Sequence, residues 1–65
     1  MKVKRILNRH IGRSMDWRGA YNQLINGRIV KVQNRIATVE YYIAGKSEPF
    51  THWLEVDSPS IVEIY

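Results

Sequence analysis

The chain has 65 residues, with ten Lys and Arg against six Asp and Glu, a formal net charge of +4 and no cysteine. A chain of this length forms one small domain with a thin core, and the lack of cysteine excludes disulfides and thiolate metal sites. No stretch is apolar over the roughly 20 residues that span a bilayer, and no apolar stretch typical of a secretion signal follows the basic start. We therefore predict one cytoplasmic domain, residues 1–65, without membrane association or cofactor.

The charge is unevenly distributed along the chain. Residues 1–35 carry nine Lys and Arg and one Asp, a net charge of +8, whereas residues 36–65 carry one Lys and five acidic residues, a net charge of −4. A basic half of this kind is expected to attract phosphate groups or an acidic protein surface. If the two halves fold against each other, their charges instead pair in part, and both interpretations stay open.

The first part of the chain predicts one short strand and a long loop. Residues 3–7 form a β-type run, and residues 8–20 are irregular, polar and basic, with Trp17 inside the predicted loop. Residues 20–26 fit either one helical turn or an extended segment. Asn26-Gly27 predicts a turn because both residues tolerate positive φ.

The rest of the chain alternates short strands with turn residues. Strands are predicted over residues 28–32, 36–43, 50–56 and 61–65, and residues 33–35 form a tight connection. In the second of these strands, one face is predicted to point to the core and carries Ala37, Val39, Tyr41 and Ile43. Four or five short strands without a long amphipathic helix predict an all-β domain, a small antiparallel barrel or sandwich.

The chain resembles the KOW type of SH3-like barrel, which occurs in bacterial transcription elongation factors and several ribosomal proteins. Residues 27–32 (GRIVKV) resemble the family's glycine followed by a strand, and residues 37–46 (ATVEYYIAGK) resemble the next strand with its Gly-basic turn. Residues 48–56 and 60–64 resemble the final strand and the closing turn. The resemblance covers about residues 20–65, and it implies an SH3-like barrel of about five short strands associated with RNA or a transcription complex.

The sequence offers little for catalysis, and we expect no enzyme. The two histidines, His10 and His52, lie in a basic loop and on a predicted strand, without a neighbouring nucleophile or carboxylate pair. Gly45-Lys46-Ser47 matches only the end of a phosphate-binding loop, with no glycine at the required place before it.

Two groups of residues are candidates for binding a partner. Guanidinium groups pair with phosphate and aromatic rings stack on bases, so the predicted loop is a candidate through Arg9, Arg13, Trp17, Arg18 and Tyr21. The predicted strands and connections add the bases Arg28, Lys31 and Arg35 and the aromatic residues Tyr42 and Trp53. The alternative is structural: Trp17 and Tyr21 would cover the core, and the strand aromatics would pair across the sheet.

These observations favour a non-catalytic binding module for nucleic acid, either RNA or single-stranded DNA, linked to transcription. The alternative is a small regulator or inhibitor that docks on an acidic surface of a larger enzyme or polymerase through an aromatic anchor or an added strand. A third hypothesis is a subunit that is stable only in an oligomer, because the core is thin.

Overall fold

The computed structural model describes residues 4–65, which form one antiparallel sheet preceded by a short 3-10 helix, Asn8–His10. The strands are β1 (Ser14–Arg18), β2 (Leu24–Gln33), β3 (Ile36–Tyr41), β4 (Phe50–Glu55) and β5 (Ile61–Ile64). Their order in the sheet is β4-β3-β2-β1-β5. The first four strands therefore form a meander, and β5 returns to pair with β1. The all-β antiparallel class is confirmed.

The first strand is not where the sequence predicted it. In the predicted strand 3–7, residues 4–7 have no regular secondary structure, and Val3 lies outside the described residues. Ile6 is nevertheless buried, and its N–H donates to the carbonyl oxygen of Val56 at 2.8 Å. This segment therefore contributes to the core without forming a strand.

The predicted long basic loop is also wrong, because it contains β1. Met15 and Trp17 point into the core, while Asp16 and Arg18 alternate with them. Two apolar residues in alternation are too short a pattern to distinguish from a loop. Pairing with both β2 and β5 is what makes this segment a strand.

The core lies on one face of the sheet and is built around Trp17. Its buried residues are Ile6, Met15, Trp17, Ile29, Ala37, Val39, Leu54, Val56 and Ile61. The indole packs edge-on against Tyr41, with ring centroids 5.7 Å apart, and stacks on His52 at 5.9 Å. Since β2 and β3 separate β1 from β4 in the sheet, the stacking of Trp17 on His52 requires a strongly curved sheet.

Gly27 lies within β2, so the turn predicted at Asn26-Gly27 is wrong. A Cβ at Gly27 would be 2.6 Å from the carbonyl oxygen of Glu40 and 2.7 Å from the ring of Trp17. Glycine is therefore present because neighbouring groups occupy the space of a side chain, and its role here is close packing.

The turn between β2 and β3 is the tight connection that the sequence predicted at residues 33–35. Asn34 and Arg35 have φ of 52° and 65°, which gives the short turn whose twist suits an antiparallel hairpin. In β3, Ala37 and Val39 are buried as predicted. The strand ends at Tyr41, before Ile43, which is exposed.

Candidate functional site

Among residues 4–65 no polar or charged side chain is buried, so the groups available for recognition lie at the surface. The outward side chains of β2, β3 and β4 form a surface that we call the outer face. In its central row Lys31 lies opposite Thr38, and Thr38 lies opposite Trp53. Strand alternation places these three side chains on the side of the sheet away from the core. The Trp53 side chain is 72% exposed.

The outer face contains one shallow, open depression. It has a volume of about 580 Å³ and opens between the β2–β3 hairpin and the middle of β4. Its lining includes Lys31, Gln33, Ile36, Thr38, Thr51 and Trp53. The two threonines and the glutamine supply hydrogen-bonding groups beside an exposed indole, so the depression can hold a flat ring with polar edges.

The outer face carries charges of both signs. Arg28 lies opposite Glu40 in the register, but no ion pair joins them, and Lys31 likewise has no ion-pair partner in the described part of the chain. Glu55 lies further along, opposite Ile36. Arg28 and Lys31 therefore remain available for an anionic partner.

A second depression of about 350 Å³ adjoins the outer face at Arg28. Its lining includes Ser14 and Arg28, which pair across β1 and β2, and Tyr42. Tyr42 directly follows β3 and is 68% exposed. Arg28 therefore belongs to the outer face and also lines the depression that contains the predicted site residue Tyr42.

A third depression, of about 280 Å³, is lined by Arg9, His10, Arg13, Ile64 and Tyr65, and we call it the basic notch. The backbone N–H of Leu7 donates to Nδ1 of His10 at 2.8 Å, and Nη1 of Arg13 donates to the carbonyl oxygen of Tyr65 at 3.1 Å. Burial lowers the pKa of His10, and the charges of Arg9 and Arg13 lower it further. The imidazole is therefore held predominantly neutral near neutral pH.

Asp16 and Tyr65 form a hydrogen-bonded pair between β1 and the residue after β5. The phenol of Tyr65 donates to one carboxylate oxygen of Asp16, and the amide of Asn26 donates to the other at 2.7 Å. These two hydrogen bonds, first that from Tyr65, lower the pKa of Asp16, and the same bond to Asp16 raises the pKa of Tyr65. Asp16 is therefore a satisfied carboxylate.

The residues predicted to bind as one loop are dispersed. Trp17 is 1% exposed, so its ring is not available to stack on a base, and its assignment to a binding loop is corrected. Arg18 ends β1 and donates to the carbonyl oxygen of Asn22 at 3.3 Å. Tyr21 lies in the turn between β1 and β2 and is 91% exposed.

The remaining predicted bases divide between the two surfaces and an ion pair. Arg9 and Arg13 line the basic notch, and Arg28 and Lys31 belong to the outer face. Arg35 lies in the β2–β3 turn and binds Asp57 at 3.1 Å, which makes it a structural contact between the turn and the end of β4.

The sequence interpretation missed the polar residues that surround Trp53. Thr51 shares the outward side of β4 with Trp53 through strand alternation, whereas Thr38 lies beside the indole only through the register of β3 with β4. Alternation within the predicted strand at residues 36–43 placed Thr38 on the outward side. The pairing registers of β3 with β2 and with β4, which could not be predicted from the sequence, place Thr38 between Lys31 and Trp53.

Within residues 4–65 no helix has the length and apolar character needed to cross a membrane. The same residues contain no group of three or more His, Asp or Glu side chains arranged to hold a metal ion. Comparison with models of protein families, with curated proteins and with solved structures found no match to the chain.

Proposed function

We propose that the protein is a non-catalytic binding module for single-stranded nucleic acid, RNA or DNA, and that the outer face is its contact surface. The observation that carries the proposal is Trp53, a 72% exposed indole that lies in one row with Thr38 and Lys31 beside a depression of about 580 Å³. An indole in such a position is free to stack on a base.

The physical basis is stacking combined with phosphate contacts. Stacking of a base on an aromatic side chain contributes about 1–3 kcal/mol and tolerates any base. Lys31 and Arg28 carry charges without ion-pair partners in residues 4–65 and would contact the backbone of a strand whose base covers Trp53. Thr38 and Thr51 are placed to hydrogen-bond the base edge or the sugar.

The arrangement of the strands supports a barrel of the SH3-like kind for this module. A meander of four strands, a strongly curved sheet and a fifth strand that returns to β1 agree with the KOW-type resemblance of residues 20–65. The family's occurrence in transcription and ribosomal proteins agrees in turn with an RNA partner. Fold alone does not establish function, so the outer face carries the proposal.

One observation favours a second candidate, a regulator that docks on a larger protein. In the described part of the chain β4 pairs only with β3, so its other edge is unpaired and carries the exposed Trp53. An extended segment of a partner could add to this edge with Trp53 as its anchor. The glutamates Glu40 and Glu55 on the outer face would disfavour a polyanion more than a protein.

The decisive experiment measures binding of fluorescent single-stranded RNA, single-stranded DNA and duplex DNA at low and physiological salt. We expect micromolar or tighter binding of a single strand at physiological salt. Trp53→Ala should weaken it about tenfold, because the stacking contact is lost. The control is Tyr21→Ala, which removes an exposed aromatic ring outside the outer face and should leave the affinity unchanged.

Two results would decide against the proposal. Binding that is seen only at low salt would show that the net positive charge acts nonspecifically, and a protein partner would then be sought by pull-down. Equal affinities of the wild type and Trp53→Ala would show that the outer face is not the contact surface. A larger loss in Tyr21→Ala than in Trp53→Ala would place the site at the β1–β2 turn.

A further inference from the structure

The basic notch brings the side chains of Arg9, His10 and Arg13 to one depression beside the end of β5. Arg9 and His10 come from the 3-10 helix, and Arg13 comes from the segment between this helix and β1. Backbone hydrogen bonds fix that segment: Gly12 N–H donates to the carbonyl oxygen of Ile29 at 2.7 Å, and Ile29 N–H donates to that of Arg13 at 2.9 Å. The backbone at Arg13 is thus held in place by β2.

The hydrogen bond to Leu7 determines which nitrogen of His10 carries the proton. Nδ1 of His10 accepts the N–H of Leu7 at 2.8 Å, so in the neutral ring the proton is on Nε2. The ring therefore presents an N–H donor, and its acceptor nitrogen is already occupied. A donor of fixed orientation suits an anion and does not suit a cation.

The guanidinium of Arg13 is held in place and still has free donors. Its Nη1 donates to the carbonyl oxygen of Tyr65 at 3.1 Å, which uses one of the five N–H groups of the side chain. Arg9 is exposed and has no ion-pair partner in residues 4–65. Two positive charges and one neutral N–H donor therefore border the depression.

Asp16 is hydrogen-bonded to Tyr65, a lining residue of the notch, and the neutral donors that bind its carboxylate leave its negative charge in place. Glu63 pairs with Lys4 at 3.0 Å. The described residues that line the notch include no Asp or Glu. The side chains that line the notch therefore carry a net positive charge, which favours an anion.

We propose that the basic notch is a seat for a phosphate monoester, supplied by the phosphorylated end of a nucleic acid strand. A monoester carries about two negative charges near pH 7 and has three acceptor oxygens, which matches two guanidinium groups and one N–H donor. An internal phosphodiester carries a single charge and matches less well. The choice of a strand end as the source rests on the proposed function, whereas the phosphate chemistry of the seat does not.

Bound phosphate should also change the ionisation of His10. Arg9 and Arg13 lower the pKa of His10 beyond the effect of burial, and an anion among these groups opposes that influence. The pKa of His10 should therefore rise when phosphate binds. His52 lies against Trp17 on the other side of the core and serves as an internal reference in the same protein.

The first part of the test titrates the protein with inorganic phosphate while the imidazole signals of both histidines are followed by NMR, with sodium chloride of equal ionic strength as the reference. We expect saturable shifts and a raised pKa for His10, and no change for His52. Arg9→Gln should weaken the phosphate effect about threefold to tenfold. Lys46→Gln removes one positive charge from the exposed turn after β3 and should leave it unchanged.

The second part compares oligonucleotides of one sequence with a 5′-phosphate, a 3′-phosphate or hydroxyl groups at both ends. We expect a phosphorylated end to bind about threefold to tenfold more tightly than the hydroxyl form in the wild type and in Lys46→Gln. In Arg9→Gln the preference should disappear. The fluorescent label is placed internally so that both ends stay free.

The outcomes separate this inference from the proposed function. If phosphate shifts His10 but no oligonucleotide binds, the seat is supported, and both the strand as its source and the proposed function are overturned. If all three oligonucleotides bind equally through Trp53, the proposed function is supported and the seat for a strand end is overturned. If sodium chloride shifts His10 as much as phosphate does, the seat is overturned.

Discussion

At the scale of single residues, Gly27 shows how one position of β2 depends on two neighbours. A side chain there would contact the backbone of Glu40 on β3 and the ring of Trp17 on β1 at distances that real Cβ atoms do not adopt. The backbone of a central strand and a buried indole both resist displacement, because the interior is closely packed. Gly27 is therefore a requirement of the core.

We expect Gly27→Ala to lower the free energy of unfolding by about 2–3 kcal/mol, because the added methyl group forces β3 or Trp17 to move. The measurement is urea denaturation followed by circular dichroism. Gly45→Ala is the control. The added methyl group would have no atom within 4 Å, so only the φ of +86° should lower the free energy of unfolding, by about 1 kcal/mol. A smaller loss in Gly27→Ala than in Gly45→Ala would contradict the close packing described for β2.

At the scale of elements, the β2–β3 hairpin joins two strands that each pair with a neighbour on both sides. Its turn places Asn34 and Arg35 at positive φ, a region that Asn adopts readily and Arg does not. Arg35 also pairs with Asp57, and its carbonyl oxygen accepts the N–H of Val56 at 3.0 Å. The side chain thus contributes a surface ion pair, while the backbone conformation costs free energy.

Two variants separate these contributions. Arg35→Ala and Arg35→Gly both remove the ion pair with Asp57, but only glycine relieves the cost of positive φ. We expect Arg35→Gly to be about 1 kcal/mol more stable than Arg35→Ala in urea denaturation. Equal stabilities would mean that the turn relaxes to another conformation in the alanine variant, which the φ values measured for that variant by NMR would reveal.

At the scale of the whole molecule, the two differently charged halves of the chain do contact each other. Lys4 pairs with Glu63, and both Arg5 and Arg35 pair with Asp57. These exposed pairs contribute little to stability, about 0–1 kcal/mol each. The charges of the two halves therefore pair in part, and these pairs involve Lys4, Arg5 and Arg35.

The stability of the whole molecule depends strongly on one buried side chain. Trp17 is the largest fully buried residue, and it links β1 to β3 and β4. We expect Trp17→Ala to cost about 3–5 kcal/mol, which is comparable to the total stability of a domain of this size, so the variant should be largely unfolded at 25 °C by circular dichroism. Trp17→Phe should retain the fold with an intermediate loss.

The matched control for Trp17 is the second tryptophan. Trp53→Ala removes the same side chain from an exposed position, and its free energy of unfolding should change by no more than about 0.5 kcal/mol. A folded Trp17→Ala variant, or a Trp53→Ala variant that unfolds, would contradict the opposite placements of the two indoles.

The sequence by itself determined the β class, the β2–β3 turn and the outward side of β3, because alternation and turn preference are properties of neighbouring residues. Tertiary structure alone decided that Ser14–Arg18 is a strand, that Gly27 is a packing position and that Trp17 is core. Each of these outcomes depends on contacts between residues far apart in the chain. Both tryptophans were candidates for binding from the sequence, and the pairing of β1 with β2 and β5 is what places Trp17 in the core, while Trp53 is 72% exposed.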